Sequence, residues 1–152
     1  MKAFGVSDLL AAMVRLEQTG HQFYTELAVR SEDEEEKNFF SMLAKEELKH
    51  EKIYADLAEQ YKSVEPENQL DEPYGAYLDI LINQNFSFTE EDLKDRETAF
   101  KIAVGLEKDT LLFISEVELL IDTNHKEVFE KIKAEERSHL RALVAYRDSH
   151  NI

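Results

Sequence analysis

The stretch LAKEELKH, residues 43–50, decides the fold of this chain, and a similar stretch, IKAEERSH, recurs at residues 132–139. Both contain Glu-Glu-x-x-His and lie in long segments whose apolar residues are spaced three and four apart, as on the buried face of an α-helix. Glu47 and His50 occupy positions on that face where the pattern requires apolar side chains. A buried carboxylate is strongly disfavoured unless it is protonated, paired or bound to a metal. The placement of these polar residues therefore requires a chemical explanation.

Four long segments with helical periodicity surround these stretches, and they predict an all-α protein. They run from about Ser7 to Arg30, from the SEDE stretch (31–34) to about Lys62, from about Asp95 to Ile121, and from the turn DTNHKE (122–127) to about Ser149. Ser7 is the expected N-cap of the first helix. Ser31 and Glu34 fit a capping box at the start of the second.

The connection between the second and third helices, about residues 63–94, is long for a helical bundle, where links of about 2–8 residues are usual. It contains both prolines of the chain, Pro66 and Pro73. Its middle, AYLDILINQNF (76–86), has apolar spacing that could form a short helix. The arrangement predicts two antiparallel hairpins joined by one long crossover, which is a known four-helix-bundle topology. Residues 1–152 are expected to form a single domain.

The two predicted hairpins resemble each other. Each carries a lone glutamate on its first helix, Glu17 or Glu107, and Glu-Glu-x-x-His on its second. In an antiparallel hairpin, residues equidistant from the turn lie at the same height. Glu17 and Glu47 are equidistant from the SEDE turn, and Glu107 and Glu136 from the edge of the DTNHKE turn. Each pair is therefore expected to lie level across its own hairpin.

Six polar residues interrupt the apolar stripes of the four helices, and metal binding explains both their number and their chemistry. They are Glu17, Glu47, His50, Glu107, Glu136 and His139. The four carboxylates supply the charge that balances two divalent ions, and each Glu-x-x-His pair points two ligands the same way. Sites rich in oxygen with imidazole suit iron or manganese, with zinc a common substitute.

The first glutamate of each Glu-Glu pair, Glu46 or Glu135, is rotated about 100° away from these ligands. Both are expected to face a neighbouring helix or solvent. Their removal is expected to change metal binding little.

This set of six residues resembles the ferritin-like superfamily, and specifically its rubrerythrin-like branch, over about residues 7–149. Glu17 followed by Gly20, Phe23 and Tyr24 is similar to the first helix of that branch, where the tyrosine lies near the metals. The resemblance implies a four-helix bundle that binds two iron ions, with redox activity that is often peroxide reduction. It also implies a role for Tyr24 beside the centre, although an ordinary buried tyrosine would satisfy the same pattern.

Three features of the chain depart from this resemblance. Rubrerythrins usually carry a rubredoxin domain with a four-cysteine iron, whereas this chain has no cysteine and would need an external electron-donor protein. The second glutamate of the family's third helix is Thr110 here, and the counterpart of Tyr24 on that helix is Ile114. Only Tyr24 is thus expected to serve as a phenol near the site. Leu48 stands where related bacterioferritins place a haem-ligating methionine, which argues against haem.

The charge and hydropathy of the chain exclude some classes of binding partner. The formal net charge of −15 argues against binding to nucleic acid or anionic membranes, and no apolar run is long enough to span a bilayer. A cytoplasmic homodimer is expected, with peroxide or oxygen as substrate. Two alternatives remain open: iron oxidation and storage in a large shell, and a helical interaction module whose polar core residues only set specificity.

Overall fold

The computed structural model describes residues 5–62, 72–121 and 123–152, and these ranges contain helices and no strand. Four helices are long, at 24 to 28 residues each. The elements in chain order are α1 (Val6–Arg30), α2 (Glu34–Tyr61), α3 (Glu72–Ile82), α4 (Glu90–Lys94), α5 (Arg96–Leu120), a 3-10 turn (Thr123–His125) and α6 (Lys126–Ser149). The predicted all-α architecture with four long helices is confirmed.

The helix starts differ from the predicted caps. Helix α1 begins after Gly5, whose backbone N–H donates to the Asp8 carboxylate at 2.8 Å. Helix α2 begins after Asp33, which accepts a hydrogen bond from the Glu36 backbone N–H. The predicted capping box of Ser31 and Glu34 is wrong, because the Ser31 hydroxyl instead donates to the Leu27 carbonyl at the end of α1. Several residues near each turn can cap a helix, and the chain direction at the turn selects among them.

Side-chain contacts define how the long helices pack in a closed ring. Helices α1 and α2 are antiparallel, as are α5 and α6, and these are the two predicted hairpins. Helix α1 also contacts α5, and α2 contacts α6. It follows that α2 and α5 lie diagonally opposite and run in the same direction. The crossover must therefore travel the length of the bundle, roughly 40 Å, which explains why it is long.

The crossover contributes two short helices. Helix α3 covers most of the predicted AYLDILINQNF helix but begins earlier, with Pro73 in its first turn, where a proline is tolerated. Leu78 and Leu81 of α3 are buried against the bundle. Residues 63–71, which include Pro66, lie outside the described residues. Across the described ranges, every helix is too short or too polar to traverse a lipid bilayer.

The apolar core divides into two clusters. One includes Leu16, Tyr54 and Phe113, and the other includes Tyr24 and Phe40. All five side chains are buried, at 4 % exposure or less. The buried polar residues belong to the same helix stripes and fall between the two clusters. The bundle therefore encloses a polar layer with apolar packing on both sides.

Candidate metal centre

The six predicted ligands meet in this polar layer. Helices α1 and α5 supply one glutamate each, Glu17 and Glu107, while α2 and α6 each supply a Glu-x-x-His pair. All six are buried, and the most exposed of them, His139, reaches only 5 %. Residues three apart on a helix point the same way, which is why each pair enters the centre together.

The donor atoms form two overlapping sets. Glu17, Glu47, His50 and Glu136 each offer one atom within 4.8 Å of the others, and so do Glu47, Glu107, Glu136 and His139. Glu47 and Glu136 belong to both sets. Two carboxylates shared between two sets of four donors suit a pair of adjacent metal ions with bridging ligands. That these residues bind metal stays a prediction.

The hydrogen bonds of the buried oxygen and nitrogen atoms test whether two metal ions suit this centre. Within the described part of the chain, several buried atoms lack a hydrogen-bond partner: Glu17 Oε2, Glu47 Oε1, Glu107 Oε2, both oxygens of Glu136, and Nδ1 of His50 and His139. His50 Nδ1 lies 2.6 Å from Glu136 Oε1, as an ion pair without hydrogen-bond geometry. Leaving a buried polar atom unpaired costs about 1–3 kcal/mol, more if it is charged. Six of these seven atoms lie 2.6–3.9 Å from another of the seven, as ion pairs without a hydrogen bond. Seven buried donor atoms in one layer, none of them hydrogen-bonded, fit a centre whose donors are satisfied by cations.

Gly20 supplies the space for one of the shared carboxylates. A Cβ atom at this position would lie 3.2 Å from Glu47 Oε2 and 3.3 Å from its Cδ, closer than ordinary van der Waals contact. At Gly105, in contrast, nothing lies within 4 Å of the corresponding position. The sequence pattern explains Gly20 equally well by close helix packing, and only the structure identifies the Glu47 carboxylate as the group that needs the room.

Raised pKa values let three of the buried groups, Glu17, Glu107 and His139, hold protons when metal is absent. Burial raises the pKa of Glu17 well above its ordinary value, and the charges of Glu136 and Glu107 raise it further. Burial, and then the adjacent Glu136 carboxylate, raise the pKa of Glu107 to about 8. For His139, burial lowers the pKa, but the Glu107 and Glu136 carboxylates, each 3.5 Å from its Nδ1 atom, outweigh it and raise the pKa to about 10. Burial also acts to raise the pKa of Glu136, yet the adjacent Glu107, His139 and His50 side chains hold it well below its ordinary value. The metal-free centre thus binds protons that a cation would displace.

Two hydroxyl groups hydrogen-bond to the ligands. The Tyr24 hydroxyl donates to Glu107 Oε1 at 2.9 Å, and the Thr110 hydroxyl donates to Glu17 Oε1 at 3.3 Å. The Tyr24 hydroxyl thus contacts a predicted ligand, and its role beside a metal centre stays a prediction. The Thr110 hydroxyl also lies 3.1 Å from the Leu106 carbonyl of its own helix, so its contact with Glu17 links the two hairpins from a position within α5.

Tyr54 is a second phenol close to the centre. It is fully buried, and its ring centroid lies 6.4 Å from that of His50. Its hydroxyl has no hydrogen-bond partner among the described residues. The sequence analysis expected only Tyr24 near the site and did not identify Tyr54. A helical side chain leans back over the preceding turn, and for Tyr54 that turn carries His50. The position of Tyr54 four residues after His50 is the signal that could have found it.

Glu135 also contacts the centre, which the sequence analysis missed. Its Oε2 atom lies 2.6 Å from His50 Nε2, on the side of the ring away from Glu136. Glu135 was expected to face a neighbouring helix or solvent, and in the structure it contacts His50, a predicted ligand on α2. The paired glutamates in Glu-Glu-x-x-His are the signal in the sequence. The rotation of each helix decides whether Glu46 or Glu135 reaches a histidine across the bundle.

Comparison with known proteins agrees with this geometry. The profile of the rubrerythrin family matches residues 8–146. This chain belongs to the rubrerythrin family. A crystal structure from Thermotoga maritima, described as a ferritin-like diiron-carboxylate protein, is 26% identical with a TM-score of 0.73, and the match covers 97% of each chain. No sequence among functionally curated proteins matches this chain.

The family and the fold agree with the buried glutamate–histidine layer in supporting a diiron-carboxylate protein. This rubrerythrin-family chain contains no cysteine, so its residues cannot build the four-cysteine iron site of a rubredoxin domain.

Proposed function

We propose that this chain is a di-iron oxidoreductase that reduces hydrogen peroxide, with electrons from an external donor protein. Each turnover converts one hydrogen peroxide, two electrons and two protons into two water molecules. The observation that carries the proposal is the pair of overlapping donor sets that share Glu47 and Glu136. Such an arrangement would suit two cations side by side, and two ferrous ions could supply both electrons of the reaction at one place.

The six buried ligands would hold two iron ions, and manganese or zinc could occupy the same donors. When bound in the ferrous state, the two ions would supply the two electrons of the reaction. The four carboxylates balance the charge of two divalent ions, so the loaded layer would carry little net charge inside the bundle. Low net charge favours burial of the centre in an apolar core.

Two phenols hold protons beside the centre. The Tyr24 hydroxyl is hydrogen-bonded to Glu107, and burial followed by the charge of Glu107 raises its pKa well above the ordinary value. Burial and then the charge of Glu17 raise the pKa of Tyr54 in the same way. Both groups therefore keep their protons at neutral pH. They can donate hydrogen bonds to a peroxide oxygen or to a ligand during the reaction.

Apolar side chains limit the access of water to the centre. Phe40, Leu43 and Ile132 are buried in the clusters on either side of the polar layer. Small oxidants can diffuse into such a layer more easily than larger reductants. Electrons are therefore expected to enter from a donor protein bound at the surface. We also expect the chain to form a homodimer.

The test combines metal analysis with rapid mixing. Elemental analysis after ferrous loading should give two iron ions per chain in the wild type, with a sharp loss in Glu47→Ala. Anaerobic stopped-flow mixing of the ferrous protein should then show faster oxidation by hydrogen peroxide than by oxygen. Without added reductant, a single turnover is expected.

Two results would refute the proposal. A metal content near zero would favour a helical interaction module without a metal centre. Oxygen reacting as fast as peroxide, with excess iron retained in a large assembly, would favour iron oxidation and storage.

A further inference from the structure

The His50 ring lies between two carboxylates of the same helix. Its Nδ1 atom faces Glu136 inside the centre, and its Nε2 atom faces Glu135 on the outer side, both at 2.6 Å. His50 is fully buried, whereas the side chain of Glu135 is 22 % exposed. The imidazole therefore connects the inner layer to a carboxylate near the surface.

We infer that Glu135 is a positioning residue that holds His50 with Nδ1 directed at the metal, and that it does so for one of the two donor sets only. A neutral imidazole carries one proton, and the nitrogen that carries it cannot bind a metal. A carboxylate on Nε2 keeps the proton there and leaves the lone pair of Nδ1 free for the centre. Such contacts fix the ring and make it a better donor.

Lys49 supports Glu135 in this position. Its Nζ atom lies 3.3 Å from Glu135 Oε1, while Oε2 is the atom that faces His50. The two carboxylate oxygens of Glu135 thus have separate partners on α2: Lys49 at the surface and His50 in the core. Rotation of the Glu135 carboxylate would break both contacts, which restrains the carboxylate and the ring together.

The other donor set lacks this arrangement. Glu46 is the counterpart of Glu135 in the first hairpin, and its ion pair is with Lys49 at 3.9 Å. The ion pairs of His139 in the described part of the chain all involve Nδ1 and the ligands Glu47, Glu107 and Glu136. The two halves of the centre, similar in sequence, therefore differ in how firmly each histidine is held.

This inference rests on the proposal that the centre binds two metal ions, and zinc is the probe that separates the two ideas. Zinc binds the same donor types without redox chemistry. Calorimetric titration of the metal-free protein should give two ions per chain in the wild type. In Glu135→Ala, the affinity of one ion should fall by about 10- to 100-fold, with the other unchanged. Glu135→Gln, whose amide oxygen can still accept from Nε2–H, should lose less, and the matched control Glu46→Ala should bind like the wild type.

Nitrogen-15 NMR of the zinc-loaded protein gives a second measurement that mere loss of stability would not change. In the wild type, His50 should show a metal-bound Nδ1 and a protonated Nε2. In Glu135→Ala, the Nε2–H signal should broaden or vanish through exchange, and Glu135→Gln should retain it. The metal-free melting temperature of each variant reports on folding separately.

Different results overturn different parts of the reasoning. A wild type that fails to bind two zinc ions would overturn the proposed function, and this inference with it. Equal weakening of both ions in Glu135→Ala, or the same loss in Glu46→Ala, would overturn the inference alone. A third zinc ion, present in the wild type and lost in both variants, would also overturn it, because Glu46, His50 and Glu135 would then form an outer cation site.

Discussion

Replacement of Gly20 by alanine tests whether the space beside Glu47 exists for the metal centre. In an ordinary helix interior, Gly→Ala stabilises a protein by about 0.5–1 kcal/mol. Gly105 provides the matched control, since it also lies within a long helix and nothing lies within 4 Å of its Cβ position. Gly105→Ala should therefore raise the melting temperature by about 1–4 °C, with or without metal, given about 2–4 °C per kcal/mol for a chain of this size.

At Gly20 the new Cβ would meet Glu47 Oε2 at 3.2 Å. In the metal-free protein, the Glu47 carboxylate can move a few tenths of an ångström, so the change in stability should be small. With metal bound, Glu47 belongs to both donor sets and cannot move without disturbing both. Overpacking of this kind costs about 1–3 kcal/mol, and we expect metal affinity to fall about tenfold, which corresponds to ~1.4 kcal/mol.

Melting curves with a chelator and with saturating ferrous or zinc ion measure this effect. The rise in melting temperature caused by metal should be smaller in Gly20→Ala than in the wild type, by about 3–6 °C. In Gly105→Ala that rise should match the wild type. If both alanine variants gain the same stability in both conditions, Gly20 serves helix packing alone and the reasoning is refuted.

Other predictions concern the ligands, the protons and the tyrosine. Glu47→Ala should lower the occupancy of both metal ions, whereas Glu107→Ala should affect mainly one, as elemental analysis and zinc titration would show. The folded metal-free protein binds more protons than the unfolded chain, because the pKa of Glu107 is raised to about 8 and that of His139 to about 10. The melting temperature of the protein in chelator should therefore fall as pH rises from about 5 to 9. Metal affinity should rise over the same pH range, because these protons become easier to displace. A melting temperature that does not change with pH would contradict the proton assignment. Tyr24→Phe should leave two ions bound but slow the stopped-flow reaction with peroxide, and an unchanged rate would limit Tyr24 to a packing role.

Much of the centre was predictable because helical periodicity is a local property. The stripe that carries Glu47 and His50 follows from spacings of three and four residues, and the structure brings these side chains together with Glu17 and Glu107. The caps were less predictable, since Ser31 and Asp33 are both good N-cap residues and differ only in where the chain turns. Helix α3 was anticipated in part, but its start at Glu72 was not.

The sequence by itself determined the all-α class, the four long helices and the set of six polar residues on their apolar faces, because each of these depends on the order of residues along one helix. The tertiary structure alone decided the contacts between helices: Glu135 on His50, the Tyr24 hydroxyl on Glu107, and the room that Gly20 leaves for Glu47. A side chain about 100° from the inward face can meet a neighbour or water, depending on how two helices are rotated and how closely they approach. That rotation and approach are set by packing of the whole bundle, which no single helix specifies.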